Sequence, residues 1–268
     1  MVSNPLLDFT DLPRFGDILP EHIVPAIEQL LASARDTVKN VLDDAASPSW
    51  ESVIEPITNA TERLSRAWSV VGHLNAVVNT PELRDAYNSM VPKLAEFWTE
   101  LGQNAALFAC YQAVKLVADE ANYSTVRKKV LENNLREFRL AGAALSIDDK
   151  ARFAHIQSRL AELTARFEQN VLDATDSFSL VLKDRDALDG VPSDVVEMLA
   201  ATAQAEGLEG YKLTLRYPCY LPVMQHAHSR TLRKTLYEAY VTRASELGKA
   251  KYDTTPIIRE KLQLNQEE

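Results

Sequence analysis

Apolar residues along this chain recur mainly at three- and four-residue steps, the spacing that places them on one side of an α-helix. The first stripe opens at Pro20-Glu21 and carries Ile23, Ile27, Leu30, Leu31, Ala34, Val38, Val41 and Leu42. After a break at Ser47-Pro48-Ser49, a serine is placed to cap a second helix bearing Val53, Ile57, Ala60, Leu64, Ala67, Trp68 and Val71. Thr80-Pro81-Glu82 supplies cap, first-turn proline and first-turn acid in order. The third helix carries Leu83, Tyr87, Met90, Leu94, Phe97, Trp98 and Leu101; its pattern extends past Cys110, with a kink or short interruption expected at Pro92. A fourth helix, Ser124 to Leu140, is closed by Gly142. Ser146-Ile147-Asp148-Asp149, a capping box with Asp in place of the usual Glu or Gln, opens the strongest stripe: Phe153, Ile156, Leu160, Leu163, Phe167 and Val171. Helices that hide one face and wet the other must pack on one another, so the pattern predicts a mostly α, multi-helix bundle.

The period then changes. Phe178-Ser179-Leu180-Val181-Leu182 and Tyr211-Lys212-Leu213-Thr214-Leu215 have strand character, separated by a helix that starts at Val191-Pro192-Ser193-Asp194 and ends by Gly207. This predicts a small two-stranded β element, antiparallel because such pairs are the commoner kind. A helix from about Leu221 to Ala244 follows Pro218, with Leu232, Leu236, Tyr237 and Tyr240 on its apolar side. A final pattern opens at Thr255-Pro256 and runs through Ile257, Ile258, Leu262 and Leu264, without the residues that usually close a helix. Its last two residues, Glu267 and Glu268, are acids, the unfavourable sign for a helix C-terminus. The expectation is a chain that is a piece of something longer.

Composition narrows the function classes. A chain of 268 residues, 46% apolar and 25% charged with only 8 glycines, suits one large helical domain or two ordinary ones. The formal net charge of −9, with no dense Lys/Arg cluster, disfavours nucleic acid as a partner. Cys110 and Cys219 are too few and too far apart for a disulfide framework and read as buried free thiols. The N-terminus has no secretory pattern, and no stretch approaches the ~18 apolar residues of a membrane span. A cytoplasmic protein with no membrane partner is expected.

Candidate chemistry is sparse. The five histidines are His22, His73, His155, His226 and His228, and no two are four residues apart, the spacing that hydrolytic zinc helices use. His226 and His228, two apart on the expected Leu221–Ala244 helix, should point about 200° away from each other. His73 should lie at a helix end with a satisfied polar contact. The acid pairs Asp43-Asp44, Asp148-Asp149 and Glu267-Glu268 sit at expected helix edges, as solvated faces do. There is no Gly-x-Ser-x-Gly elbow, phosphate-cradling glycine loop or Cys-x-x-Cys. Tyr211, Tyr217 and Tyr220 could contact a ligand, or could pack in the core with their hydroxyls reaching water.

The ordered segments themselves carry a resemblance. Asn4-Pro5-Leu6-Leu7, Ile18-Leu19-Pro20-Glu21-His22-Ile23-Val24-Pro25-Ala26, and His73-Leu74-Asn75 followed by Pro81-Glu82-Leu83-Arg84 look like the start of a member of the thimet oligopeptidase family of zinc metallopeptidases. The likeness continues through Phe167-Glu168-Gln169-Asn170-Val171-Leu172-Asp173-Ala174-Thr175, Tyr220-Leu221-Pro222-Val223-Met224, and Leu236-Tyr237-Glu238-Ala239-Tyr240-Val241-Thr242-Arg243-Ala244-Ser245. It covers essentially the whole chain, although no single segment is a catalytic signature.

The resemblance implies a nearly all-helical, two-lobed enzyme whose channel admits short peptides, with zinc held by a His-Glu-x-x-His helix and a downstream Glu. This chain is expected to end before that helix, so no residue is assigned a catalytic, cofactor-binding or metal-binding role. Zinc belongs to the complete family enzyme. Residues 1–175 are then expected to form the N-terminal helical lobe, and residues 176–268 a strand-helix-strand element with the first helices of a truncated peptidase domain. The expected function is the N-terminal part of a zinc metallo-oligopeptidase, inactive as it stands. The alternative is a non-enzymatic helical module that binds peptides, or a partner through its exposed truncated face.

Overall fold

A computed structural model describes residues 4–44, 47–118 and 120–267. Short 3₁₀ turns at Pro5–Leu7 and Phe15–Asp17 lead into α1 (Pro20–Asp43), and a π-helical turn, Trp50–Ile54, leads into α2 (Glu55–Val77). Then come α3 (Pro81–Gly102), α4 (Ala105–Val117), α5 (Thr125–Leu140), α6 (Ile147–Asp176), β1 (Leu180–Leu182), α7 (Ser193–Ala205), β2 (Tyr211–Leu213), α8 (Tyr217–His226), α9 (Arg230–Thr242) and α10 (Thr255–Glu267). The chain divides into two compact units, one ending at Glu162 and the other Leu163–Glu267, so the division falls inside α6.

The first unit is a helical bundle with two apolar clusters. One buries Ile23, Ile27, Leu64, Met90 and Phe97 among α1, α2 and α3, with Trp68 and Tyr87 stacked at its edge, ring centroids 4.6 Å apart. The other buries Ile54, Leu107, Val114 and Leu131, with Tyr111 and Phe138 edge to face. In the second unit, Leu188, Leu199, Leu213, Val223 and Leu236 form the core beneath a two-stranded antiparallel sheet that pairs Leu180 with Leu213 and Leu182 with Tyr211. The mostly helical architecture with one small antiparallel pair is that expected from the hydrophobic period.

Local chemistry fixes most boundaries. Ser49, Thr80 and Ser124 accept the backbone N–H three residues on, each satisfying a donor that the first turn leaves orphaned. Ser146 accepts the Asp149 N–H at 3.2 Å and donates its hydroxyl to the Asp149 carboxylate at 2.7 Å, so the shorter acid closes the box on the hydroxyl. α5 ends in a Schellman motif: Ala143 N–H reaches the Phe138 carbonyl and Gly142 N–H the Arg139 carbonyl. The reversal needs φ of +87° at Gly142, which glycine adopts without strain.

Three expectations are corrected. The third helix does not run past Cys110. It ends at Gly102, and Asn104, in an extended conformation, accepts the Leu107 N–H at 2.9 Å and starts a separate helix, α4. Asparagine competes for local backbone donors, so a continuous apolar stripe did not outweigh a capping residue. The helix expected from Leu221 to Ala244 is likewise two. Ala227 is extended (φ −60°, ψ 128°), and Ser229 caps α9 by accepting the Leu232 N–H at 3.3 Å. Finally, of the kink or interruption expected at Pro92, the interruption does not occur, and α3 runs unbroken through it. It sits on the exposed side, where water can take the carbonyl that its missing N–H leaves free. The strong stripe of α6 buries Ile156 and Leu163, while Phe153, Phe167 and Val171 are only half-buried.

Candidate functional site

The candidate residues read from sequence do not assemble into one site. His22 lies in the first turn of α1, where its Nδ1 accepts the Leu19 N–H at 3.1 Å, a capping role. His73 is exposed on α2 with its ring edge-on to Phe15, centroids 5.4 Å apart. His155 is exposed on α6. His226 ends α8, and His228 lies beyond it, so the expected opposition of these two on one helix does not arise. Instead His228 donates its N–H to the Asp189 carbonyl, and its Nδ1 lies 2.9 Å from the Asp189 carboxylate. Both side chains are largely exposed, so this contact contributes little. The fit is close in another respect: a Cβ on Gly190 would come within 2.4 Å of the His226 carbonyl oxygen, which explains glycine there. Among the described residues no three His, Cys, Asp or Glu side chains converge in a way that could hold a metal ion.

The acids are placed as solvated helix ends. Asp43 closes α1 and Asp44 caps it, while Asp148 and Asp149 occupy the first turn of α6, where the helix dipole favours negative charge. Glu267 ends α10, and Glu268 lies outside the described residues. Cys110 and Cys219 are free and buried, and burial pushes both thiols up, away from the reactive thiolate. Of the three tyrosines, Tyr217 is exposed, and Tyr211 and Tyr220 are half-buried against the second unit's core.

One constellation does form, and sequence reasoning did not single it out as a site. It draws on three segments that carry the family resemblance. Tyr220 of α8 stacks on Tyr240 of α9, ring centroids 4.2 Å apart and planes 13° from parallel. The Arg243 guanidinium lies 3.6 Å from the Tyr240 ring centroid, and its Nε donates to Thr175 Oγ1 at 3.1 Å. Beside it, Arg216 forks onto Asp176 through two bonds of 2.9 and 3.1 Å, and Lys249 Nζ donates to the Ser177 carbonyl at 3.1 Å. Three cations therefore meet the C-terminal end of α6, where its carbonyl dipoles concentrate negative potential. Asp176 raises the Arg216 pKa, and burial, helped by Tyr240 and Tyr237, raises that of Tyr220. Tyr220 thus stays protonated and Arg216 charged.

The chain turns sharply just past Arg243. Ala244 adopts φ of 54°, and Thr254 holds its carbonyl with both N–H (3.0 Å) and hydroxyl (2.6 Å). A left-handed alanine costs roughly 1 kcal/mol, so the two hydrogen bonds hold the corner against strain. Chemically the constellation is a clasp. It supplies fixed cations and aromatic faces, with neither an activated nucleophile nor a base poised to take a proton.

Comparison with known proteins places these features. A family model for the neurolysin/thimet oligopeptidase N-terminal domain matches residues 27–150. Across 99% of this chain, identity is 43% to oligopeptidase A of Haemophilus influenzae, 40% to that of Salmonella typhimurium and 39% to that of Escherichia coli. The chain belongs to the thimet oligopeptidase family. It corresponds to an N-terminal portion of oligopeptidase A, spanning 39% of the length of each of these relatives. The thimet-family match in the first unit and the whole-chain identity agree with the segments that carried the resemblance. Arg243 and Thr175 were legible only through those segments; neither has a local signature.

Proposed function

We propose that this chain is the N-terminal part of a zinc metallo-oligopeptidase whose complete form hydrolyses short peptides, and that the chain alone does not. The observation that carries the reading is identity of 39 to 43% to oligopeptidase A over nearly every residue, across only 39% of that enzyme's length. The residues present do not fit a zinc site, because no three donor side chains among those described converge. No hydrolytic step is therefore assigned to them. In the complete enzyme this part acts by shape, limiting what enters and aligning a peptide backbone. Residues 1–175 act as the N-terminal lobe, and residues 176–268 begin the peptidase domain. The site of action is cytoplasmic, with short peptides as partners in the complete enzyme and neither nucleic acid nor membrane.

The deciding experiment is a quenched-fluorescence peptide assay on the purified 268-residue chain with added zinc. The expected result is no turnover above a heat-inactivated control. Turnover that a chelator abolishes would overturn the proposal.

A second reading, a module that associates through an exposed face, is favoured by one observation. Val241, Leu247, Ile258 and Leu262 are 44 to 77% exposed, and Ile257 is the buried apolar residue of α10. Apolar side chains left in water favour association. Light scattering showing self-association or a stable complex supports this reading, and a monodisperse monomer that binds no hydrophobic dye removes it.

A further inference from the structure

The N-terminal arm of the first unit, residues 4–19, hangs on α1 at both of its ends from one residue, His22. At the start of the arm, Asn4 Nδ2 donates to the His22 carbonyl at 2.8 Å. At its end, the Leu19 N–H donates to His22 Nδ1 at 3.1 Å. Between these ties the arm buries Leu6 and Ile18 in the α1–α3 core and sets the Phe9 ring beneath the Arg63 guanidinium, 4.8 Å from its centroid. Phe9, Pro13 and Ile18 form one wall of a cleft of about 390 Å³, with Glu62, Arg66 and Val70 of α2 on the other.

His22 stands third in α1, where a capping box places Glu or Gln to reach back to the N-cap N–H. The N-cap here is Leu19, whose side chain has no polar atom, so the imidazole closes the box alone. A backbone N–H only donates, so Nδ1 presents its lone pair and Nε2 carries the ring proton. A carboxamide accepts at any pH, whereas a second proton makes both imidazole nitrogens donors. That proton and the Leu19 N–H therefore compete for one lone pair. An imidazolium would also face the positive end of a 24-residue helix.

The charged groups around this turn are few and exposed. Glu28–Lys93 and Arg35–Glu100, each 65 residues apart, set α1 and α3 parallel, and the same offset brings Arg84 and Asp85 level with the first turn of α1. The arm contributes Asp8, Arg14 and Asp17, with Arg14 3.5 and 3.6 Å from the two acids. Glu21 lies on α1 itself, and α2 contributes His73, edge-on to Phe15 of the arm. Asp17, Glu21 and Asp85 are exposed, and none of these carboxylates makes an ion pair with the His22 ring.

We propose that His22 is a proton-operated catch: closed at neutral pH, where Nδ1 holds the Leu19 N–H, and released in acid, which loosens residues 4–19 from α1. The sign follows from the geometry, because only the unprotonated ring accepts. The proposal stands independently of the peptidase reading.

Hydrogen exchange by NMR on the whole chain tests it, with protection of the Leu19 amide measured between about pH 8 and about pH 5 after division by the intrinsic rate. Imidazoles change charge in this window and ordinary carboxylates do so below it. Leu19 protection should fall about fivefold, the worth of one cap, while far-ultraviolet circular dichroism stays constant. Cleavage of the arm by thermolysin, referenced to a free peptide of residues 4–19, should rise in parallel. His22→Gln, which accepts without titrating, should keep the arm protected at both ends of the range, and His22→Leu should leave it loose at both. His73→Gln should respond to acid as the wild type does, which separates His22 from the imidazole against Phe15. Wild-type protection and cleavage that do not change with pH overturn the proposal, as does a change of equal size in His22→Gln. A response lost in His73→Gln, or one accompanied by loss of helix, overturns it too.

Discussion

Removing Arg243 tests whether the clasp at the end of α6 holds the second unit together. Arg243→Ala takes away the Nε bond to Thr175, a bond to the Tyr240 carbonyl and a guanidinium 3.6 Å from the Tyr240 ring centroid. In this half-buried setting each contact contributes about 1 kcal/mol, below the range for fully buried charged pairs. All three share one side chain, so their losses overlap, and the expected net destabilisation is about 2 kcal/mol. Thr175→Val, which keeps the shape and removes the acceptor, should cost about 1 kcal/mol. A double-mutant cycle between the two should return a coupling near 1 kcal/mol. Arg243→Lys should recover no more than about half of the 2 kcal/mol, because an ammonium cannot serve Thr175 and the Tyr240 carbonyl with one planar fork. The assay is urea unfolding followed by far-ultraviolet circular dichroism and tyrosine absorbance. Trp50, Trp68 and Trp98 all lie in the first unit, so tryptophan fluorescence does not report on this corner. A coupling below about 0.3 kcal/mol, the scatter expected of independent sites, refutes the reasoning.

Three further outcomes are expected. Leu64→Ala, at a side chain with no exposed surface in the α1–α3 core, should cost about 3 kcal/mol, read from the urea midpoint of the neighbouring Trp68 fluorescence. Ala244→Gly should stabilise the second unit by about 0.5 kcal/mol by relieving the left-handed alanine, whereas Thr254→Val should destabilise it by about 1 kcal/mol; circular dichroism checks both. For Tyr111 the folded-state pKa, about 12, exceeds the ordinary value of 10.0, so the folded protein holds the phenolic proton where the unfolded chain has lost it. That stability is complete below pH 10 and lost as pH rises towards 12; the loss, about 2 kcal/mol, should appear in the wild type and not in Tyr111→Phe.

The helices were legible because period and capping agreed at most of them. Ser49, Thr80, Ser124 and Ser146 each stand at the foot of an apolar stripe, and each caps the helix it announces. Where the two signals conflicted, the stripe misled. Leu94, Leu101 and Phe108 keep a helical rhythm across Asn104, yet Asn104 ends that continuity by taking the Leu107 N–H for itself. Ser229 does the same between α8 and α9, where Val223, Leu232 and Leu236 all reach one core. A pattern of burial records which residues face the interior but not whether one helix or two deliver them there. The Arg243 clasp was illegible for a different reason. Its members are separated by 68 residues of sequence, and a lone Arg and a lone Thr carry no local mark.

That separation bears on what a family resemblance in this chain means. Three of its segments, 167–175, 220–224 and 236–245, contribute Thr175, Tyr220, Tyr240 and Arg243 to a single corner. None of these side chains is activated. Tyr220 is held protonated, and Arg243 is committed to an alcohol, a carbonyl and a ring. Residues that only packed a core could be exchanged for others of similar volume, whereas a planar fork, a hydroxyl at one distance and a stacked pair of rings admit few substitutes. The corner therefore places on these segments a geometric demand that packing alone would not make. What they specify is the position of α9 against the end of α6, and Arg243→Lys, which keeps charge and bulk while losing the fork, separates that geometric demand from a demand for positive charge alone.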